Sequence, residues 1–248
     1  GALIMLGGYF SYYLFTATGI DPFLTLPLTM AALFVIGYGL QRYLLNLIVR
    51  APMFNTLLIT FGLDVVLTYL AQLLFSADFR TINPSYAGAH FNIGSVTVPL
   101  LRLLAFALAA ALTALLAIFL TRSRTGRAIR ATSQNLDAAR LYGVAPRSLY
   151  ALTFALGAAL AGAAGGLYGM VSQITPYIGA ELTAKSFVIA LIGGLDNPLG
   201  VLVGGLVLGL AEAVGTLYIG PTFDNVISFG MLVLVLILRP KGILGRTA

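Results

Sequence analysis

Five apolar runs, 23–43, 53–75, 99–121, 149–171 and 198–219, set what this chain can fold into. An α-helix rises about 1.5 Å per residue, so about 20 apolar residues cross the ~30 Å of bilayer hydrocarbon. Each run meets or approaches that length. Only 9% of the residues are charged, where a soluble domain carries about a quarter. Lipid is therefore the expected solvent for most side chains, and the expected fold class is an all-α integral membrane protein. It is a polytopic helix bundle of about eight hydrophobic segments. The run 222–238 is slightly short and ends at "RPKG"; residues 1–16 read as the remainder of another span. The segment 183–195, "TAKSFVIALIGGL", is too short to cross alone and reads as a short or broken helix within the bundle.

Charge gives an expected topology. With the 126–150 loop placed in the cytoplasm and alternation outward, Arg42, Arg50, Arg122, Arg124, Arg127, Arg130, Arg140, Arg147, Arg239, Lys241 and Arg246 fall inside. Only Arg80, Arg102 and Lys185 of the 14 basic residues fall outside, the bias of the positive-inside rule. Both termini are then cytoplasmic. This requires 183–195 to count as a crossing. The net charge of +6 reports topology and lipid contact, not a nucleic-acid surface.

Catalytic and metal signatures are missing. The chain has no cysteine and a single histidine, His90. No H-E-x-x-H, G-x-S-x-G or Walker A pattern occurs. "GGLD" at 193–196 matches intramembrane aspartyl proteases only loosely, with Asp196 at a membrane edge. No enzyme activity, metal or cofactor is expected. Two acids fall at membrane depth, Asp64 and Glu212. Such groups are costly and mark functional sites by default, yet each is equally readable as a carboxylate bonded to nearby Ser, Thr or backbone. The outer loop 76–98 ends in "FNIGSVTVP", whose alternation suits a short hairpin or lid; an inert connector is the other reading.

Small residues recur four apart on two spans. Gly157, Ala161, Gly165 and Gly169 form one row on 149–171, beside Ala158, Gly162 and Gly166. On 198–219 the row is Gly205, Gly209 and Ala213, with Gly200 and Gly204 as a second. Such rows let membrane helices approach backbone to backbone. They serve packing alone or a sliding face for gating.

The charge-rich stretch 122–148 stands apart. Thr132 or Ser133 is the expected cap of a short helix through "QNLDAARLY", with Gly143 at C′ and Pro146 just beyond. Ala138, Ala139 and Tyr142 form its small or apolar face, suited to a shallow groove. Asp137, Ala138, Ala139 and Gly143 in "DAARLYG" resemble the E-A-A-x-x-x-G coupling motif of bacterial ABC importer permeases, with Asp for Glu. The Leu-Pro usual downstream is missing.

The likeness extends along the chain. "GRAIRATSQNLDAARLYGV", "ALTFALGAALAGAAGGLYG", "TPYIGAELTAKSFVIALIGGLDNPLGVLVGGLVLGLAEA" and "LRPKGILG" resemble the permease subunits of branched-chain amino acid ABC importers. "IMLGGYFSYYL" and "NTLLITFGLDVVLTYLAQLLF" are similar to the H-type subunit. That resemblance implies a single permease domain over 1–248 in a bacterial inner membrane, with 122–148 as its coupling loop and a hydrophobic segment normally preceding it. It also implies partners: an M-type permease or a second homologous copy, two cytoplasmic ABC ATPases that hydrolyse the ATP, and a periplasmic substrate-binding protein. Branched-chain amino acids are the implied cargo; other amino acids, amides or urea are alternatives of the same architecture. A self-sufficient secondary transporter or channel built on Asp64 or Glu212 is the alternative of another class.

Overall fold

The computed structural model describes residues 1–48, 53–76, 78–93, 96–195, 197–239 and 242–244. Arg50, Asp196, Lys241 and Arg246, used in the topology and motif readings, lie outside them. Among the described residues, the regular structure is helical apart from one hairpin. Its helices are α1 (Ala2–Thr18), α2 (Pro22–Gly39), α3 (Asn46–Ile48), α4 (Met53–Phe75), α5 (Leu100–Arg122), α6 (Arg124–Gln134), α7 (Leu136–Leu141), α8 (Pro146–Val171), α9 (Ile178–Gly193), α10 (Pro198–Tyr218) and α11 (Asp224–Leu238). Among the described residues, five stretches are long and apolar enough to cross a membrane: Pro22–Ile48, Phe54–Phe75, Leu100–Arg122, Pro146–Val171 and Pro198–Tyr218.

Local chemistry fixes the helix ends. Asp21 caps α2 by accepting from the Phe23 amide at 2.9 Å, and Asn197 caps α10 by accepting from the Leu199 amide at 3.1 Å. Pro22, Pro146 and Pro198 occupy first-turn positions, where the missing N–H has no helical partner to lose. Pro146 starts α8 three residues before the expected 149. After α2, the chain winds as a π-helix over Leu40–Leu45 before the turn of α3; such wide turns concentrate at functional sites. α9 is not broken. It begins at Ile178, five residues before the expected start, with Glu181 in its first turn, where an acid favours the helix dipole. Its 16 residues span about 24 Å. The hairpin pairs β1 (His90–Ile93) with β2 (Val96–Pro99), antiparallel, His90 opposite Pro99.

Two compact units divide the chain: Gly1–Ala109 with Arg124–Glu181, and Ala110–Ser123 with Leu182–Ala248. In the first, α8 is central, packed on α1 and α2. The contacts are between backbones. A Cβ on Gly7 would stand 2.6 Å from the Gly162 carbonyl oxygen, and one on Gly165 would stand 2.6 Å from the Gly8 nitrogen. Met5, Tyr9, Leu26, Leu33, Ile82 and Ile174 are fully buried around this seam. Ser11 and Thr25, also buried, bond to each other at 3.0 Å, which meets the demand for a partner in an apolar interior.

The second unit packs α9, α10 and α11 around Val188, Ile192, Leu208 and Val235. A Cβ on Gly204 would stand 2.7 Å from both the Gly193 nitrogen and the Ile189 carbonyl oxygen, and Gly200 abuts Gly193 as closely. The chain after α11 folds back on the end of α9. The amides of Ile243 and Leu244 donate to the carbonyls of Ile192 and Gly193 at 2.8 and 3.2 Å, satisfying acceptors that a helix C-terminus leaves free.

Candidate functional site

The segment between α5 and α8 is built by side chains that cap each turn. Asn135, extended at φ −153° and ψ 105°, ends α6 and starts α7. Its Oδ1 accepts from the amides of Asp137 and Ala138 at 3.1 and 3.0 Å. Thr132 and Ser133 are not the cap. They sit inside α6 with their hydroxyls donating back to the carbonyls of Ala128 and Arg130 at 2.8 Å each. The competition goes to Asn135 because α6 continues through both hydroxyl residues, leaving Asn135 as the first residue with non-helical backbone.

α7 ends in a Schellman motif. The Gly143 amide donates to Arg140 O at 3.0 Å and the Val144 amide to Ala139 O at 3.2 Å, with Gly143 at φ +81°. The αL backbone is why a residue without Cβ stands there. Three residues later Pro146 opens α8. The first turn of α8 is tied sideways: the Asn46 side-chain amide donates to Arg147 O at 3.1 Å, and Gln41 donates to Asn46 Oδ1 at 3.2 Å. The π-helical segment is thereby linked to the start of the central helix. Gln41, Thr56, Tyr150, Thr153 and Phe154 line a pocket of about 410 Å³ beside this link.

The face expected on α7 is divided differently. Ala139 is only 4% exposed and faces the protein, while Leu141 and Tyr142 stand 89% and 90% exposed. Ala138 is half-buried and Asp137 is exposed, the latter ion-paired with Arg140 at 3.0 Å. Two large apolar side chains on a rigidly capped turn are what a partner groove would take up. The sequence reading missed Leu141, although it lies inside the motif, because helical spacing alone did not say which side of α7 the protein covers.

The two small-residue rows are used unequally. Gly165 and Gly169 face backbone or buried side chains, Ala161 is half-buried, and Gly157 has nothing within 4 Å of a notional Cβ. Gly205 meets only Ile189 Cγ2, at 3.7 Å, and Gly209 meets nothing within 4 Å. Gly165 and Gly169 share these close approaches with Gly166, Gly200 and Gly204 of the second rows, while Gly162 packs against Leu33.

Asp64 is half-buried on α4. Glu212 has a cationic neighbour that the sequence reading did not find. Lys185 on α9 reaches Glu212 Oε1 at 3.4 Å and pairs closely with Asp224 on α11. Ser228 donates to Glu212 Oε1 at 2.5 Å. α9 begins at Ile178, which puts Lys185 in its second turn, where it reaches α10 and α11. His90 lies in β1, its Nδ1 3.0 Å from Gly88 O. Among the described residues, no group of three or more metal-ligating side chains comes together.

Comparison with known proteins bears on this arrangement. A family model described as "Branched-chain amino acid transport system / permease component" matches residues 1–236. The chain is 32% identical to the high-affinity branched-chain amino acid transport system permease protein BraD of Pseudomonas aeruginosa, covering 99% of this chain and 84% of BraD. It is equally identical, over the same shares, to the LivH permease of Escherichia coli K12. A probable LivH of Methanocaldococcus jannaschii is 29% identical over 99% of this chain and 81% of its own length. No solved structure matches. A matched family model spanning nearly the whole sequence, together with these permease relatives, means that the chain belongs to the family of permease components of branched-chain amino acid transport systems.

Proposed function

We propose that this chain is the membrane-spanning permease subunit of an ATP-driven importer, forming part of the path for branched-chain amino acids. Residues 1–248 act as one permease domain in a bacterial inner membrane, with both termini and the 122–148 loop cytoplasmic. It carries no catalytic group; two ABC ATPases below it hydrolyse ATP. An M-type permease or a second copy completes the path, and a periplasmic binding protein delivers the cargo. Exposed apolar faces on α4 and α5, which include Leu57, Phe61, Leu73, Leu115 and Ile118, fit lipid or that second permease.

The observation that carries the proposal is the pairing of exposed Leu141 and Tyr142 with a rigid link to the central helix. Their burial in an ATPase cleft anchors α7, and the Schellman turn and Pro146 pass its displacement to α8 with little slack. Coupling requires that the two ATPase states hold α7 differently. Asp137, Ala138, Ala139, Tyr142 and Gly143 then serve ATPase coupling. Ala161, Gly165, Gly169 and Gly205 serve helix packing and gating within the chain, and Gly157 and Gly209 serve it only against a partner subunit.

The chain has no cysteine, so Tyr142→Cys gives a unique thiol for crosslinking. In intact cells this thiol captures an ATPase subunit. In the purified complex, Leu141→Asp with Tyr142→Asp removes substrate-stimulated ATP turnover while the chain still inserts. Unchanged turnover and no crosslink would overturn the proposal.

A further inference from the structure

The opposite end of α8 carries a group that the coupling reading leaves unused. α8 has 26 residues, so its end near Val171 lies about 39 Å along the axis from Pro146. There the chain from Asp78 to Ile82 is pinned onto it. Arg80 exchanges backbone bonds with Ile174 at 3.1 and 2.7 Å, and the Ile82 amide donates to Gly169 O at 2.9 Å. The Arg80 backbone is thereby fixed, and its side chain runs back over α1.

The guanidinium is held loosely for so fixed a residue. It lies 5.6 Å from the centre of the Tyr12 ring, a cation–π distance. Its Nη1 reaches Tyr12 Oη at 3.4 Å and its Nη2 reaches Asp78 Oδ2 at 3.3 Å. Charge-assisted bonds are normally about 2.7–2.9 Å. Arg80 Nε is buried without a partner among the described residues, and so is the hydroxyl of Tyr9, a residue with no exposure. Tyr9 and Tyr13 pack against Phe75, with ring centroids 4.8 and 5.1 Å apart, and Tyr13 meets Tyr12 edge-on. The side chain of Asp78 is 70% exposed, so its pairing with Arg80 is weak and easily exchanged.

We infer that Arg80, Tyr12 and Tyr9 form a carboxylate-binding site at this end of the path, with Asp78 as the resident acid that an incoming carboxylate displaces. This rests on the proposed importer reading, under which the ligand is the α-carboxylate of the transported amino acid. A planar carboxylate matches the guanidinium fork in two parallel bonds and supplies an acceptor for the stranded donors. The guanidinium lies along α1 and is not projected outward, which favours a small carboxylate over an acidic surface of another protein. The Tyr9 hydroxyl gives the site a signature. A buried donor without a partner destabilises a fold, so removing it without a further role is neutral or stabilising.

The test uses the complete importer, purified without its binding protein and titrated calorimetrically with L-leucine and L-leucinamide, which lacks the carboxylate. Wild type prefers leucine by at least about tenfold, the scale of one charge-assisted pair. Arg80→Gln removes that preference, and Asp78→Asn tightens leucine several-fold. Tyr9→Phe weakens leucine while leaving the melting temperature equal or higher. The inference is overturned if Arg80→Gln keeps the preference. It is also overturned if leucine does not bind to a complex whose ATP turnover still responds to loaded binding protein. Loss of affinity for the binding protein alone in Arg80→Gln would overturn it in favour of an acidic docking partner. Absence of the ATPase response itself would count against the importer reading, while the leucine and leucinamide titration still decides the site.

Discussion

Gly7 and Gly162 touch backbone to backbone: a Cβ on Gly7 would lie 2.5 Å from Gly162 Cα. The contact joins α1 to the central α8 and leaves no volume for a side chain on Gly7. Gly162 itself faces α2: Gly162→Leu would meet Leu33, whose Cγ stands 3.0 Å from the notional Cβ, and the Thr29 carbonyl oxygen at 3.4 Å. Overpacking a filled core costs about 1–3 kcal/mol, and a rigid backbone on the far side raises that. The expected outcome is loss of monodisperse protein for Gly162→Leu in size-exclusion chromatography. Gly209→Leu, with nothing within 4 Å, leaves the chain monodisperse. Equal behaviour of the two variants would contradict the seam.

The start of α7 depends on one side chain. Asn135 alone supplies the acceptor for the amides of Asp137 and Ala138. Replacing a cap by Ala costs about 1 kcal/mol, which corresponds to roughly fivefold in a local opening equilibrium. Hydrogen exchange at Asp137 and Ala138 should accelerate by about that factor in Asn135→Ala. Thr132→Ala and Ser133→Ala should leave these two amides unchanged, since their hydroxyls bond within α6.

What the sequence made legible follows from which physics is local. Span lengths and the Gly143 exit depend on single residues and their neighbours, and each stands where composition and turn chemistry put it, whereas Pro146, read only as lying beyond that exit, opens α8. The hairpin likewise followed from alternation in "FNIGSVTVP". The failures are non-local. Thr132, Ser133 and Asn135 are all good caps, and only the length of α6 selects among them. Glu212 was read without a cation to pair with, because Lys185 lies on another helix and only tertiary packing brings the two together. Which glycine row meets a neighbour depends on the rotation of each helix, and Gly157 and Gly162 are indistinguishable by spacing. Ala139, expected on the docking face, is buried for the same reason, and Leu141, which had no place in that face, is exposed.

Lys185 holds two carboxylates from two other helices, with side chains of Lys185, Glu212 and Asp224 only 23%, 21% and 30% exposed. Removing the cation leaves two half-buried acids facing each other. A fully buried pair broken this way loses about 3–5 kcal/mol; with partial exposure about 2 kcal/mol is expected for Lys185→Met. Glu212→Gln should lose less, because Lys185 keeps Asp224 and the new amide oxygen still accepts from Ser228. Thermal melting of the two variants checks the order. Uptake should survive in Glu212→Gln. Its abolition would mean that Glu212 carries an ion, as a secondary transporter needs.

Asp21 serves two groups at once. Its Oδ1 caps α2 through the Phe23 amide, and its Oδ2 accepts from the Tyr86 hydroxyl at 2.7 Å; the Tyr86 ring also stacks on Phe23. Burial first, then the bond to Asp21 and its negative charge, push the Tyr86 phenol above its ordinary value of 10.0. The folded chain therefore keeps this proton at a pH where the unfolded chain releases it. Stability from the pair is fully present below about pH 10 and is lost as pH rises from there toward the raised folded value. At pH 8, Tyr86→Phe should melt lower than wild type by the worth of one hydrogen bond, about 1 kcal/mol. As the medium is taken above about pH 10, the two melting curves should converge. A constant gap across that range would mean that the Tyr86 hydroxyl does not stay protonated against Asp21.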